Sequence, residues 1–325
     1  MRAIIHHSFA EPETVLTVEE RPLPEPAEGE VRVKTLLSPI HNHDLWTVRG
    51  TYGFVPELPA QAGTEAVGTI DALGPGVEGL EVGQRVVTGG TFGVWAEYFT
   101  AKAAGLIPVP ADLPDEAAAQ LVAMPFSALS LLHFLDLHEG QWLLQNAANG
   151  AVGRMVAQLA AARGIHVIGL VRRSEAVDQL QEQGITNVVS TANDAWRDRV
   201  AEITDGAPIA AAVDSVGGIS AGDVLSLIAE NGTLVVFGAM NDPALQLSSG
   251  DLIFKQVTVK GFWGSTVNRD MDAATKAELF AELLTRVSSG ELTLPGAGTY
   301  GFDDVRDAVT ASLTPGRVGK ILLRP

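Results

Sequence analysis

The sequence predicts an α/β protein in which a doubly wound parallel sheet is joined to a β-rich, barrel-like unit. Three observations carry that reading. From about residue 140 to 262, apolar strand-like runs alternate with helical stretches, the rhythm of repeated β-α-β units. Residues 1 to about 110 break instead into short strand-like runs divided by Pro- and Gly-rich pieces. With 325 residues, 46% of them hydrophobic and 19% charged, the chain can bury more than one core.

In chain order, the first region offers "RAIIHH", "TVLTVEE", "EVRVKTLLSP", "EAVGTIDALG", "GQRVVTG" and "AEYFTAK" as strands. Residues 117 to 135, "AAAQLVAMPFSALSLLHFL", approach the length of a membrane span. Gln120, Pro125, Ser127, Ser130 and His133 interrupt that run, so a buried helix pair is expected there and no membrane partner. The second region supplies the strands "QWLLQN", "HVIGLV", "NVVS", "AAAVDSV", "GTLVVFG" and "VTVKGFW". Between them lie the helical stretches "GRMVAQLAAARG", "EAVDQLQEQG", "AWRDRVAEITDG" and "SAGDVLSLIAENG". Two more helices, "DAATKAELFAELLTRVSSG" and "FDDVRDAVTASL", and a closing strand "GKILLRP" complete the chain. The expected domains are residues 1–115 together with 265–325, and residues 116–264 between them.

Composition narrows the function. There is no cysteine, which removes disulfides, thiolate metal sites and a cysteine nucleophile together. A formal charge of −17 argues against a nucleic-acid partner, whose phosphates call for a basic surface. The opening "MRAIIHHSFAEPETV" lacks a long apolar core and a small-residue cleavage site, so a soluble, cytoplasmic protein is expected.

The stretch "QNAANGAVGRMVAQLAAARGIHVIGLVRRSE", residues 145 to 175, carries the clearest motif. Asn146 closes a strand, and Ala148, Gly150 and Gly153 occupy the three places of a G-x-G-x-x-G fingerprint, with Ala at the first. Glycine at the middle place lets the backbone approach a pyrophosphate. Gly153 lets the helix lie close to the sheet, its amino end toward the phosphates. A strand before, a helix after and a second strand ending at Val171 make this a Rossmann-type unit. Where an NAD-selective site places an acid, this chain has Arg172, Arg173 and Ser174. Guanidinium groups suit a 2′-phosphate, so NADPH is the expected cofactor; Glu175 within reach of a ribose and two merely solvated arginines are the alternatives.

Together with "GTYGFVPELPA", "VDSVGG" and "LIFKQVTVKGFWGS", that stretch makes the whole chain resemble the medium-chain dehydrogenase/reductase superfamily on its zinc-free side. Within it the chain is most similar to the trans-2-enoyl-CoA or acyl-carrier-protein reductases and their quinone oxidoreductase-like kin. The resemblance implies a GroES-like barrel for the first domain and a Rossmann NADPH-binding domain for the second. It places Asn146, Gly150, Val152 and Gly153 beside the cofactor and makes Arg172, Arg173 and Ser174 the 2′-phosphate clamp. Gly238 and Met240 of "FGAM" would lie by the nicotinamide half. Phe262 and Trp263 would line the cofactor cleft, and Lys320 would add a further cofactor contact. For Phe262 and Trp263, an ordinary core or sheet-edge aromatic pair is the competing reading.

Zinc alcohol dehydrogenases of the same superfamily ligate zinc through a Cys three residues before an Asp and through a Gly-His-Glu. The corresponding places hold His41 before Asp44, and Gly63-Thr64-Glu65. Thr64 is not a ligand. His41, His43 and Glu65 remain a makeshift N,N,O set on paper, but the expectation is no metal. Without a Lewis acid, reduction of an activated C=C bond is the easier chemistry, because charge collects on a conjugated carbonyl oxygen and one hydroxyl can serve it. In the resembled branch that hydroxyl belongs to the Tyr of "TYG", matching Tyr52, with His43 and Trp263 in the substrate pocket. A loop aromatic packing its ring is the alternative for Tyr52.

The expected function is an NADPH-dependent, zinc-independent reductase of an enoyl thioester, enone or enal. The alternatives are an NADPH:quinone oxidoreductase, a zinc-type alcohol dehydrogenase using His41 and Glu65, and a non-catalytic NADPH-binding protein. After "GFW" the chain reads "GSTVNRDMDAAT", where Arg269 is the only cation, a departure that weakens CoA as the substrate carrier. The β-branched, apolar "QVTVKGFW" reads as the final strand of the sheet, and pairing of that edge with a second copy predicts a homodimer, packing against the first domain being the alternative cover.

Overall fold

Along the strand Glu30–Pro39, Val31, Val33, Thr35 and Leu37 point inward while Arg32 and Lys34 do not, the period-two pattern of a sheet with one wet face. The computed structural model describes residues 1–325. Glu30–Pro39 pairs antiparallel with three neighbours along its length: Tyr98–Lys102 near its start, Glu65–Leu73 through the middle, and Lys320–Arg324 at its end. Arg85–Gly89 and Ile107–Pro108 extend the sheet on one side, and Gly296–Gly301 extends it on the other. A smaller sheet of Thr17–Glu20, Arg2–His6 and Ala60–Gln61 is bridged to it through Ala3 and Ala96. Ile4, Val33, Leu45, Ile70, Trp95 and Phe302 are buried in the shared core. The closing strand is thus integral to a unit that begins more than 280 residues earlier, as Lys320 Nζ to Ile40 O illustrates.

One local expectation changes, and one helix appears where none was expected. "TVLTVEE" is not one strand. Pro12–Val15 forms a helical turn, with Pro12 at its first position where the missing N–H costs nothing, and Thr17–Glu20 alone is extended. Asn42–Arg49 is a helix that its sequence, rich in weak helix formers, does not announce. Asp44 stabilises its start by accepting the His41 backbone N–H at 2.8 Å, and Gly50, at φ +74°, ends it.

The second unit is built on a six-stranded, all-parallel sheet. Its order is Val188–Ser190, His166–Val171, Trp142–Gln145, Ile209–Asp214, Thr233–Val236 and Thr258–Gly261. By order of appearance that is 3-2-1-4-5-6, the doubly wound arrangement, with the topological switch between Trp142–Gln145 and Ile209–Asp214. Leu144, Ile168, Ala212 and Leu234 are buried on one face of the sheet and Leu143, Ala211, Val213 and Val235 on the other, as fully covered parallel strands require. The units divide at Ala123/Met124 and at Leu292/Thr293. Residues 116–123 therefore join the first unit, where the Gln120 side chain donates to Leu294 O at 3.2 Å. Residues 265–292, expected with the first domain, belong to the second; they include the helix Ala273–Ser288 with Leu279 and Leu283 buried. No helix is long and apolar enough to cross a membrane.

Candidate active site and cofactor turn

In the first unit, the turn Gly63-Thr64 and the helix Asn42–Arg49 bring five polar residues together. Gly63 sits at φ +91°, and a Cβ there would lie 2.1 Å from Trp95 Cδ1, so the turn passes where only glycine fits. Thr64 Oγ1 donates to Asp44 Oδ1 at 2.7 Å and lies 2.7 Å from His43 Nε2. The His43 ring stacks on His41 (centroids 4.9 Å, 17°) and on Tyr52 (5.7 Å, 30°). Tyr52, which follows the helix, is half-buried. Burial, together with the Lys320 cation, lowers the pKa of His43 against the opposing pull of Asp44, so the imidazole is neutral.

His41 and Glu65 face each other. His41 Nε2 is 2.6 Å from Glu65 Oε2, and both side chains are buried. The other carboxyl oxygen of Glu65 accepts the backbone N–H groups of Val122 and Ala123 at 2.6 and 2.7 Å. Burial pushes the Glu65 carboxyl up to about 8, with those two N–H groups pulling the other way, and burial drives His41 well below its ordinary value. The pair is therefore neutral and shares one proton. The atoms that would ligate a metal are engaged with one another, and no group of three or more His, Cys, Asp or Glu side chains could hold a metal ion. Lys320, expected at the cofactor, is buried in this unit, its Nζ donating to Ile40 O at 3.4 Å.

A cavity of about 300 Å³ opens beside this cluster. Asp44 and Thr64 form part of its wall, Phe54 and Phe92, with ring centroids 4.2 Å apart, another part; neither His43 nor Tyr52 lines it.

In the second unit, the strand Trp142–Gln145 leads through Asn146–Gly150 into the helix Ala151–Ala162. A Cβ on Gly153 would lie 2.9 Å from Ala147 O and from Ala148 Cα, so the helix packs this close to the turn only with glycine. Gly150 caps the helix without a side-chain hydrogen bond, leaving its first N–H groups for a ligand. Val152 lies in the first turn, half-buried. Arg172, Arg173 and Ser174 follow the second strand and are exposed; neither arginine forms an ion pair within the chain. A backbone cradle open to phosphate and two unpaired cations after the second strand fit a phosphorylated dinucleotide.

Other expected residues are placed less simply. The Asn146 side chain donates to Asp214 Oδ1 and accepts Ser215 N–H at 2.7 Å, joining the first and fourth strands at the switch. Gly238 follows the fifth strand, its N–H reaching Asp214 O at 3.2 Å, and Met240 is exposed. Phe262 is buried, edge-on to Phe134 at 5.4 Å and stacked on Phe237 at 5.7 Å, whereas Trp263 is 47% exposed. Sequence reasoning passed over Thr64 as a site residue and did not single out Asp214. Asp214 is fully buried and accepts from Asn146, Val216 and Gly217. The adjacent glycines of "VDSVGG" were its only signal.

The first unit and the second match two family models: "Alcohol dehydrogenase GroES-like domain" over residues 27–111 and "Zinc-binding dehydrogenase" over residues 151–282. The human mitochondrial enoyl-[acyl-carrier-protein] reductase is 33% identical over 322 residues, covering 97% of this chain and 86% of the relative. The chain belongs to the medium-chain dehydrogenase/reductase superfamily. It stands on the zinc-free side, where Thr64 replaces a ligand position and His41 is spent on Glu65, and it is an oxidoreductase. Among solved members of the superfamily, a putative NADPH:quinone reductase from Bacillus thuringiensis superposes with a TM-score of 0.92 at 27% identity, covering 100% of this chain and 98% of the other. The Escherichia coli quinone oxidoreductase complexed with NADPH gives 0.88 at 26% identity, with 100% of both chains covered.

Proposed function

We propose that this member of the superfamily is an NADPH-dependent, zinc-independent reductase of activated C=C bonds. The observation that carries the reading is Tyr52, a phenol seated on the neutral, hydrogen-bonded imidazole of His43 in a cluster with no metal-ligand set. NADPH, when bound, supplies the hydride that adds to the β-carbon of the substrate. The Gly150–Gly153 turn would hold its pyrophosphate, and Arg172 and Arg173, with Ser174, its 2′-phosphate. The Tyr52 hydroxyl donates a hydrogen bond to the enolate oxygen or gives its proton to the α-carbon, and afterwards recovers a proton from water. His43 stays neutral and does not compete as the acid. The reductase relatives, and the human enoyl reductase above all, support this chemistry.

A quinone substrate is the second reading, favoured by the two quinone reductases that superpose so fully. A small uncharged enone suits the chain better than an acyl-CoA. Arg269, the only cation in the segment 264–275, is already paired with Asp270 at 2.8 Å, so no free charge awaits a CoA phosphate there. NADPH oxidation measured against crotonyl-CoA, crotonyl-pantetheine, cyclohexenone and benzoquinone tests the reading. Turnover of the C=C substrates supports it and turnover of benzoquinone alone replaces it with the second. Tight NADPH binding without any turnover would leave a binding protein.

The second unit is proposed to pair with a second copy through Thr258–Gly261, all four residues of which are exposed, with Phe254 81% exposed beside them. A solution mass near 34.1 kDa by light scattering rejects the dimer. A cytoplasmic location belongs to the same reading, although the relatives are named mitochondrial; cell fractionation decides between them.

A further inference from the structure

Thr64 has no part in the chemistry described so far, yet the polar groups of the first unit converge on it. A hydroxyl has one hydrogen, and that of Thr64 is donated to Asp44 Oδ1. The 2.7 Å contact with His43 Nε2 must therefore run the other way, with Nε2–H donating to Thr64 Oγ1. His43 is then the Nε2–H tautomer, and its Nδ1 carries the bare lone pair. Asp44 cannot turn away to release this arrangement. It is buried, and its second oxygen is occupied by the His41 backbone N–H at 2.8 Å. The direct path from His43 Nε2 to Asp44 Oδ1 is 3.6 Å, too long for a hydrogen bond, so the hydroxyl is the link between them. The chain of donors ends on an imidazole held between the rings of His41 and Tyr52.

We propose that Thr64 and Asp44 are positioning residues for the Tyr52 step: they lock His43 in one tautomer and one orientation, and that fixed imidazole is the seat on which the Tyr52 ring is aimed. The proposal rests on the reading of Tyr52 as the proton or hydrogen-bond donor. A donor must be placed within a fraction of an ångström to be effective. Tyr52 lies in a segment beyond the end of a helix and is half-buried, and its ring stacks on that of His43 at 5.7 Å, so the orientation of the imidazole bears on where the phenol points. Without the Thr64 hydroxyl, Nε2–H loses its acceptor, Asp44 loses a donor, and the imidazole is free to turn over. Burial of the site, helped by the Lys320 cation, keeps His43 neutral against the pull of the Asp44 charge, so what the Asp44–Thr64 pair supplies to the imidazole is geometry.

The test uses the full-length protein with NADPH and crotonyl-pantetheine. Thr64→Val keeps the shape and deletes the hydroxyl; it is expected to lower kcat by roughly 10–100-fold, the cost of a misaimed donor. KM and NADPH affinity should stay within about twofold, and Thr64→Ser, which restores the hydroxyl, within about threefold of wild type in kcat. Combined with Tyr52→Phe, Thr64→Val should add less than about threefold, because both act through one oxygen. A packing role for Thr64 predicts the reverse, with Val tolerated and Ser impaired. Nitrogen NMR of the wild-type imidazoles should show His43 as the Nε2–H tautomer, and Thr64→Val, or Thr64→Ala where Val does not fold, should show a mixture. Wild-type kcat in Thr64→Val, additive losses in the double variant, or an Nδ1–H tautomer in the wild type would each overturn the proposal while leaving Tyr52 in its role. Full activity of Tyr52→Phe would instead remove the functional reading beneath it.

Discussion

In the first unit, His41, His43, Asp44, Thr64 and Glu65 are hydrogen-bonded to one another and largely hidden from water, whereas in the second unit Arg172 and Arg173 stand exposed with no ion-pair partner beside a turn made of backbone. The difference separates two tasks. The group proposed to aim a proton rests on neighbours hydrogen-bonded through His43 Nε2, Thr64 Oγ1 and both Asp44 oxygens, because a loose polar group in a dry site costs stability and precision together. A group that must capture a phosphate is left unsatisfied, because any partner supplied by the protein would have to be displaced first. The same contrast explains why neutral His41 and protonated Glu65 resemble a metal site in sequence and not in space.

The contrast makes predictions of decreasing size. Tyr52→Phe removes one oxygen from the closed cluster and is expected to cut kcat on a C=C substrate by roughly 10²–10⁴-fold, the range of a positioned acid, with NADPH affinity nearly unchanged. Stopped-flow turnover together with NADPH titration checks both halves, and a loss confined to thermal stability would make Tyr52 structural. Arg172→Ala with Arg173→Ala opens no core. Two phosphate contacts of roughly 1.5–3 kcal/mol each predict about tenfold to several thousandfold weaker NADPH binding, with NADH binding hardly altered. Equal weakening of both cofactors, measured by calorimetry, would show that the second unit does not select its ligand as argued.

Gly63→Ala tests the frame of the closed cluster instead of its chemistry. Overpacking against Trp95 and a left-handed backbone together should cost about 2–4 kcal/mol of stability, read as a lower Tm. A Tm equal to wild type would mean the turn can shift without cost. The smallest expected effect concerns pH. Folded Glu65 keeps its proton up to about 8, while its ordinary value is 4.5. Between those values folding takes up a proton, so the stability this group contributes is complete below 4.5 and is lost as pH rises through about 8. Glu65→Gln has no proton to lose, and its Tm should vary less than that of wild type between about pH 6 and pH 9. Parallel curves for the two proteins would show that Glu65 titrates normally in the fold.

What the sequence determined by itself is whatever local periodicity and local chemistry dictate. The alternation in Glu30–Pro39, the strand–turn–helix around Gly150 and Gly153 and the arginines after Val171 were all legible, because each is decided within one or two elements. The helix Asn42–Arg49 was not, since an Asp44 cap and core burial of Leu45 and Val48 outweigh poor propensity. Tertiary structure alone decided the polar cluster. Thr64 meets Asp44 across 20 residues, and Glu65 meets Val122 across 57. Such partners are set by how strands pair and where a turn such as Gly63 directs the chain, not by spacing in the sequence. The same holds for the ring contacts of Phe262 with Phe134 and Phe237, which no spacing in the sequence announces. A sequence shows which groups are present, but the sign of each one's role, satisfied or left open, depends on neighbours that only the fold supplies.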